Sequence, residues 1–138
     1  MSDHFVIDAS VAVAWVHPAQ ATPETETLLN AVADGAVLEA PALWPLEVAN
    51  ALLVLVRRGK LSDSERTTAL GWLVRLAVKI DHEMSALAFT KISSLAVEHQ
   101  LSVYDAAYLE LAIRRKLPLG CKDGTLREAA RKCGVKLL

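Results

Sequence analysis

Four carboxylates occupy one kind of position in this chain. Asp8 ends the apolar run Phe5-Val6-Ile7, Glu47 lies just inside the segment opened by Pro45, Asp105 comes three residues after Ser102, and Asp123 follows the run 117–121. Their flanks are apolar, reading FVID, WPLEVA, SVYDAA and LGCKD. Singly, each suits a helix cap, because a carboxylate is favoured beside the unsatisfied N–H groups of a helix start, and Ser102…Asp105 has capping-box spacing. Together they point to a cleft. In an open parallel sheet the helix starts gather beyond the carboxyl ends of the strands, which is the edge where ligands bind. Two carboxylates about 6 Å apart repel by roughly 3 kcal/mol at an effective dielectric of about 20, so four of them call for protonation or a cation. An all-oxygen donor set without histidine or thiolate suits Mg²⁺ or Mn²⁺ and not zinc. A cation so held in an open cleft can activate water and offset charge on a phosphodiester, which is nuclease chemistry.

The elements that must position these acids follow from periodicity. Short apolar runs predict strands at residues 5–7, 36–38, 78–80 and 117–121, with a last one at Val135 to Leu138. Between them lie helical patterns. One runs over residues 9–15 with Ser10 as N-cap, a second starts at Thr22-Pro23 and ends near Gly35, and a third runs from Pro45 to Gly59. A fourth opens on the capping box Ser62-Asp63-Ser64-Glu65, and others cover residues 83–99 and 102–116, with a final one capped at residues 125–128. Strands alternating with helices predict an α/β fold, helix-dominated, with a mostly parallel central sheet of about five strands flanked by helices. No linker, repeat or charge block divides the chain, so a single domain over residues 1–138 is expected.

Composition excludes several classes. Hydrophobic residues make up 53% of the chain and charged ones 22%, which is not a disordered composition. No apolar run reaches the 18 residues of a membrane span, and the first basic residue is Arg57, which leaves no n-region for a signal peptide. Cys121 and Cys133 lack zinc spacing and cannot make a disulfide framework, so reduced thiols and a cytoplasmic location are expected. All 15 Lys and Arg lie from residue 57 onward. The basic triplets at residues 57–60 and 114–116 end helical patterns, where the dipole favours cations, and this reading is preferred over a polyanion footprint. His4, His17, His82 and His99 show no ligand spacing and are assigned to the surface, whereas Trp15, Trp44 and Trp72 are assigned to core or interface.

The motifs together resemble the PIN-domain ribonucleases, specifically the small VapC-type toxins of toxin–antitoxin pairs. VIDASVAVAW is similar to that family's opening strand with its first acid, and WPLEVANAL to its second acidic motif with an Asn three residues after the Glu. LSVYDAAYLELA resembles the segment with the third acid, and PLGCKDGTLREAA the one with the fourth. The resemblance spans Phe5 to Val135 in the family's order. It implies a PIN-like three-layer fold, with Asp8, Glu47, Asp105 and Asp123 as the metal-binding and catalytic quartet and Asp8 and Asp105 as the most direct ligands. Ser10 and Asn50 become supporting polar groups near the acids. One departure is Cys121, where many members carry Ser or Thr two residues before the fourth acid; a thiol is a poorer hydrogen-bond partner than a hydroxyl. The resemblance further implies Mg²⁺- or Mn²⁺-dependent cleavage of RNA to a 5′-phosphate and a 3′-hydroxyl, inhibition of translation, and a cognate antitoxin whose C-terminal segment wraps the toxin.

The helix from Pro45 is apolar nearly all round, so it must be buried on more than one side, and a homodimer is expected over a fully internal helix. Other readings remain at this point. An RNA-processing PIN enzyme without an antitoxin fits the same motifs, and a non-catalytic interaction domain fits the same fold. A haloacid-dehalogenase-type phosphoaspartate enzyme needs D-x-D where this chain has Asp8-Ala9-Ser10, and the acidic pair of a receiver domain is missing.

Overall fold

A computed structural model describes residues 4–138 of the chain. Four strands, β1 (His4–Ile7), β2 (Val37–Pro41), β3 (Val78–Asp81) and β4 (Leu119–Gly120), form one sheet in the order β3-β2-β1-β4. Every pair is parallel, with Val6 opposite both Glu39 and Leu119. The expected fifth strand is reduced to one bridge between Leu137 and Leu119. β4 is itself only two residues long, so it offers a neighbour little ladder to extend.

Helices fill the crossovers and flank the sheet. α1 (Ala9–Val16) and α2 (Pro23–Ala33) join β1 to β2, while α3 (Trp44–Arg57) and α4 (Asp63–Arg75) join β2 to β3. The return to β4 runs through α5 (Met84–Leu87), α6 (Ser93–His99) and α7 (Val103–Arg115), and α8 (Gly124–Lys132) follows. The pattern at residues 83–99, read as one helix, is interrupted by a π turn over Ala88–Ile92, where the Ser93 hydroxyl donates to the Ala88 carbonyl at 2.6 Å. A hydroxyl bonded five residues back offers the local backbone an alternative to the regular i−4 bond.

α7 is the central helix. Seven consecutive residues from Ala106 to Ala112 are buried: Tyr108, Leu109, Leu111 and Ala112 join the core against the sheet, while Ala106 and Ala107 pack with Ile92 and Ala96 of the preceding helical segment. Its start is fixed from both sides. α6 ends on Gln100 in the left-handed conformation (φ 56°), so that the Leu101 N–H closes on the Ala96 carbonyl at 2.9 Å, and Ser102 then caps α7. Gly120 brings β4 and α2 together: a Cβ there would come within 2.8 Å of Leu28 Cδ1.

The cations at the end of α7 do more than complement a dipole. Arg114 reaches Asp81 (2.7 Å), Glu83 (2.6 Å) and Glu110 (2.9 Å), while Arg115 bonds Glu39 at 3.1 Å. Glu39 and Glu110 are buried acids, 2% and 4% exposed, and these arginines supply their charge partners. Burial pushes the Glu39 carboxyl up, but hydrogen bonds from Arg115 and His4 outweigh it and hold the group below the usual carboxylate range. The triplet at residues 57–60 is exposed at the end of α3, as expected.

Trp44 is buried, and Trp15 meets Trp72 edge to face with ring centroids 6.3 Å apart, joining α1 to α4. Of the histidines assigned to the surface, His82 is exposed, but His4, His17 and His99 are half-buried. His99 Nε2 lies 3.3 Å from Cys133 Sγ, and His4 Nδ1 lies 2.9 Å from Glu39. Both cysteines are free thiols. Among the described residues, no helix is long and apolar enough to cross a membrane.

Candidate active site

The parallel sheet sets the placement of the acids. β1, β2 and β4 point the same way, and each hands its chain to a helix at the same edge of the sheet. Asp8 follows β1 directly, Glu47 lies in the first turn of α3 after β2, and Asp123 precedes α8 after β4. Asp105 arrives on the first turn of α7.

The caps differ from the sequence expectation in two places. Asp8, not Ser10, is the N-cap of α1: its extended backbone closes the strand, and Oδ1 accepts the Val11 N–H at 3.4 Å. Ser10 is already inside the helix and donates its hydroxyl to the same Oδ1 at 2.6 Å. At the last helix, Asp123 is the cap, its Oδ2 accepting the Leu126 N–H at 2.9 Å, so residues 125–128 lie within the helix they were expected to open.

Three of the four carboxylates, Asp8, Glu47 and Asp123, are steered by specific donors. The Tyr108 hydroxyl, on the buried face of α7, donates to Glu47 Oε1 at 2.6 Å and so ties α7 to α3. The Lys122 N–H donates to the Ser10 hydroxyl oxygen at 3.2 Å, so the chain after β4 holds the residue that holds Asp8. In Asp8, Glu47 and Asp123 one oxygen takes these bonds, and the second oxygen has no protein partner among the described residues. Asn50 sits one turn after Glu47 on α3 and is exposed.

The charges interact. Asp8 is 6% exposed; burial pushes its carboxyl from 3.8 to about 6, with the Asp105 charge adding to the rise and Ser10 and Val11 opposing it. Burial also raises Glu47, against the Tyr108 hydrogen bond, and Asp105 raises it further. Asp105 is itself raised by burial and then by Asp123, with Ser102 pulling the other way. Asp105 therefore couples to all three other acids. Tyr108 is held far above its ordinary value, first by burial and then by Glu47, so it stays a donor. Cys121 is buried, and its thiol is pushed up to about 12 by burial and then by Asp8.

A divalent cation fits the chemistry of this donor set. Its oxygens are hard, one from each of three acids has no protein partner, and a cation would relieve the burial and repulsion that raise Asp8, Glu47 and Asp105. Among the described residues no three Asp, Glu, His or Cys side chains are gathered tightly enough to enclose an ion as they stand, so a bound ion would draw these side chains inward.

Tyr108 and Lys122 are the contributors that sequence reasoning missed. Tyr108 had a signal, since it lies three residues after Asp105 and so shares its helical face. The backbone N–H of Lys122 had none.

Comparison with known proteins identifies the family of this fold. The chain is 33% identical over 107 residues to Ribonuclease VapC3 of Pyrobaculum aerophilum, an alignment covering 78% of this chain and 79% of that protein. Among solved structures, PAE2754 from Pyrobaculum aerophilum superposes with a TM-score of 0.71 at 21% identity, covering 97% of this chain and 83% of that one. VapBC2 from Rickettsia felis, bound to a DNA fragment from their promoter, gives 0.67 at 11% identity over 98% and 97% of the two chains. FitAcB from Neisseria gonorrhoeae gives 0.61 at 16% identity over 97% and 96%. At these identities the structures speak for the fold alone. The PIN domain family matches residues 5–132, almost the whole chain, and the protein belongs to that family.

Proposed function

We propose that the protein is a divalent-metal-dependent endoribonuclease and the toxin of a toxin–antitoxin pair. The observation that carries this reading is the set of four carboxylates coupled through Asp105 at the carboxyl edge of a parallel sheet. The relationship to a protein named Ribonuclease VapC3 supports RNA as the substrate, and VapBC2 among the structural neighbours supports an antitoxin partner.

In this reading Asp8 and Asp105 hold Mg²⁺ or Mn²⁺ most directly, with Glu47 and Asp123 beside them. The bound ion supplies charge neutralisation at the scissile phosphate and a water of lowered pKa. The protein's own groups do the positioning. Ser10 keeps Asp8 oriented through its 2.6 Å bond, and Tyr108 fixes one oxygen of Glu47 and leaves the other for the site. The N-termini of α1, α3, α7 and α8 direct positive dipole ends at the acids and at the phosphodiester. Hydrolysis leaves a 5′-phosphate and a 3′-hydroxyl. Cleavage of RNA that translation requires would inhibit translation, in the cytoplasm.

A homodimer belongs to the same reading. It rests on α3, apolar nearly all round in sequence, whose outer side a single copy leaves uncovered at Leu46, 75% exposed. The antitoxin is expected to place an Arg among the acids, where bidentate contacts to carboxylates substitute for the cation.

Incubation of the purified protein with single-stranded RNA tests the enzyme. Cleavage should require Mg²⁺ or Mn²⁺, stop with a chelator, and be lost in Asp8→Asn and Asp105→Asn variants that remain folded. Undiminished cleavage by the folded Asp8→Asn variant refutes the site. Growth arrest on induction, relieved by co-expression of the small protein from the neighbouring reading frame, tests the toxin assignment; growth without arrest favours an RNA-processing enzyme.

A further inference from the structure

A cavity of about 320 Å³ lies next to the acids, bounded by α1, the first turn of α2, the turn after β4 and α8. Its wall includes Cys121 and Lys122, the same two residues that border the acidic site. The Lys122 N–H bonds Ser10, which bonds Asp8. Cavity and acids are thus two sides of one turn.

The lining is divided by chemistry. Leu138 gives it a half-buried apolar side over a floor of Val11 and Leu28, which are only 1% and 5% exposed, Glu24 gives a carboxylate, and Lys122 and Arg127 give two cations. These cations are imported, since residues 1–56 contain no Lys or Arg, and α1 and α2 therefore have none of their own. Arg127 lies one turn after Asp123 on the same face of α8. Each cation is anchored by a single bond to a carbonyl, Lys122 Nζ to Gln20 at 2.8 Å and Arg127 Nη1 to Cys121 at 3.0 Å. An ammonium has three donors and a guanidinium five, so most of the donor capacity stays available. The volume falls in the range of small-ligand sites, about 300–1,000 Å³.

We propose that this cavity is a nucleotide subsite: it receives one nucleotide of the RNA strand adjoining the scissile bond, with its phosphate on Lys122 and Arg127, its base against Leu138, and Glu24 accepting a hydrogen bond from a ribose hydroxyl or an exocyclic amine. The subsite deepens the proposed ribonuclease reading and rests on it. A phosphate held beside the acids sets the register of the strand, so that the next phosphodiester lies over the carboxylates.

Two measurements test it and separate its failure from failure of the enzyme reading. In the first, RNA cleavage is compared for the wild type, Lys122→Met, Arg127→Gln and the double variant, with Lys122→Arg as the conservative control. The double variant should raise KM about tenfold or more while kcat stays within about twofold, and Lys122→Arg should restore most of the loss. Losing this one phosphate contact should also lower the slope of log affinity against log salt by about 0.7 for a single strand. In the second, adenosine 5′-monophosphate is titrated into the wild type without metal and followed by amide NMR, with adenosine and inorganic phosphate titrated separately. The monophosphate should shift residues 121–122 and the first turn of α2 together, and more strongly than either fragment. Cleavage with unchanged KM and salt slope in a folded double variant overturns the subsite and leaves the enzyme reading standing. A wild type that cleaves no RNA overturns the enzyme reading, and the nucleotide titration then decides the cavity: shifts absent from its wall refute it.

Discussion

Asp8 carries a cost that can be measured without any substrate. Its carboxyl titrates at about 6 in the fold, against 3.8 for the ordinary group, and burial is the main cause. At about 1.4 kcal/mol per pH unit, ionising Asp8 in the folded chain rather than in the unfolded one costs about 3 kcal/mol. The sign follows from proton uptake. Between pH 3.8 and about 6 the unfolded chain has released this proton and the folded chain still holds it, so stability falls as pH rises through that window. The contribution is fully present below 3.8 and fully lost above about 6. Asp8→Asn removes the titration while keeping an Oδ1 to accept from Ser10 and Val11, the two bonds that cap α1.

The metal-free Asp8→Asn protein should therefore match the wild type near pH 4 and exceed it by up to about 3 kcal/mol at pH 8. In a domain of this size that corresponds to a Tm difference of about 10 °C at most. Thermal unfolding of both proteins from pH 4 to pH 8, in chelator, reads it directly. Adding Mg²⁺ at pH 8 should raise the wild-type Tm and leave the variant nearly unmoved, because the ion binds the ionised carboxylate. A Tm difference that does not change with pH refutes the assignment of a buried, strained carboxylate at Asp8.

Tyr108→Phe removes the donor to Glu47 and should destabilise the fold by about 1.5–3 kcal/mol in urea unfolding, with cleavage falling about tenfold or more as Glu47 loses its orientation. Arg114→Met strands the buried Glu110 and should cost about 3 kcal/mol, and the double variant Arg114→Met, Glu110→Gln should recover part of it. The Cys121 thiol, buried and pushed up to about 12, should resist iodoacetamide at pH 8 until the protein is unfolded, as mass spectrometry of the labelled peptides would record. Cys121→Ser should keep the fold and cleave RNA, since Asp123 is anchored through Leu126 and not through residue 121.

Local patterns made much of this fold readable. β1 is a short apolar run, and the Pro after Thr22 and the capping box at Ser62 mark helix starts where they occur. Features that depend on distant partners were not legible. Glu39 looks like any surface acid in the segment VLEAP, yet it is buried because Arg115, 76 residues away, meets it. The run at Val135 to Leu138 looks like a strand but has only two residues of β4 to pair with. The π turn at Ala88–Ile92 preserves the helical spacing of apolar residues closely enough to be invisible in the pattern.

In the sequence, helix cap and reactive group look like competing explanations for each of the four acids. The structure removes the competition for Asp8 and Asp123, because a carboxylate has two oxygens and the cap uses one. Asp8 Oδ1 takes the Val11 N–H and the Ser10 hydroxyl, and Asp123 Oδ2 takes the Leu126 N–H. Glu47 divides its oxygens in the same way, with Tyr108 as the anchor in place of a helix end. The anchored oxygen fixes the side chain, so the second one is held in place at small entropic cost. The charges cannot relax apart for the same reason: each acid is tied to an element of the sheet edge, and Asp105 stands in the field of all three others. Removing the Ser10 hydroxyl while keeping the acid should then raise Asp8 still further above its ordinary titration, because that hydrogen bond opposes the effect of burial, whereas removing Asp105 should lower both Asp8 and Glu47 and leave their anchors intact.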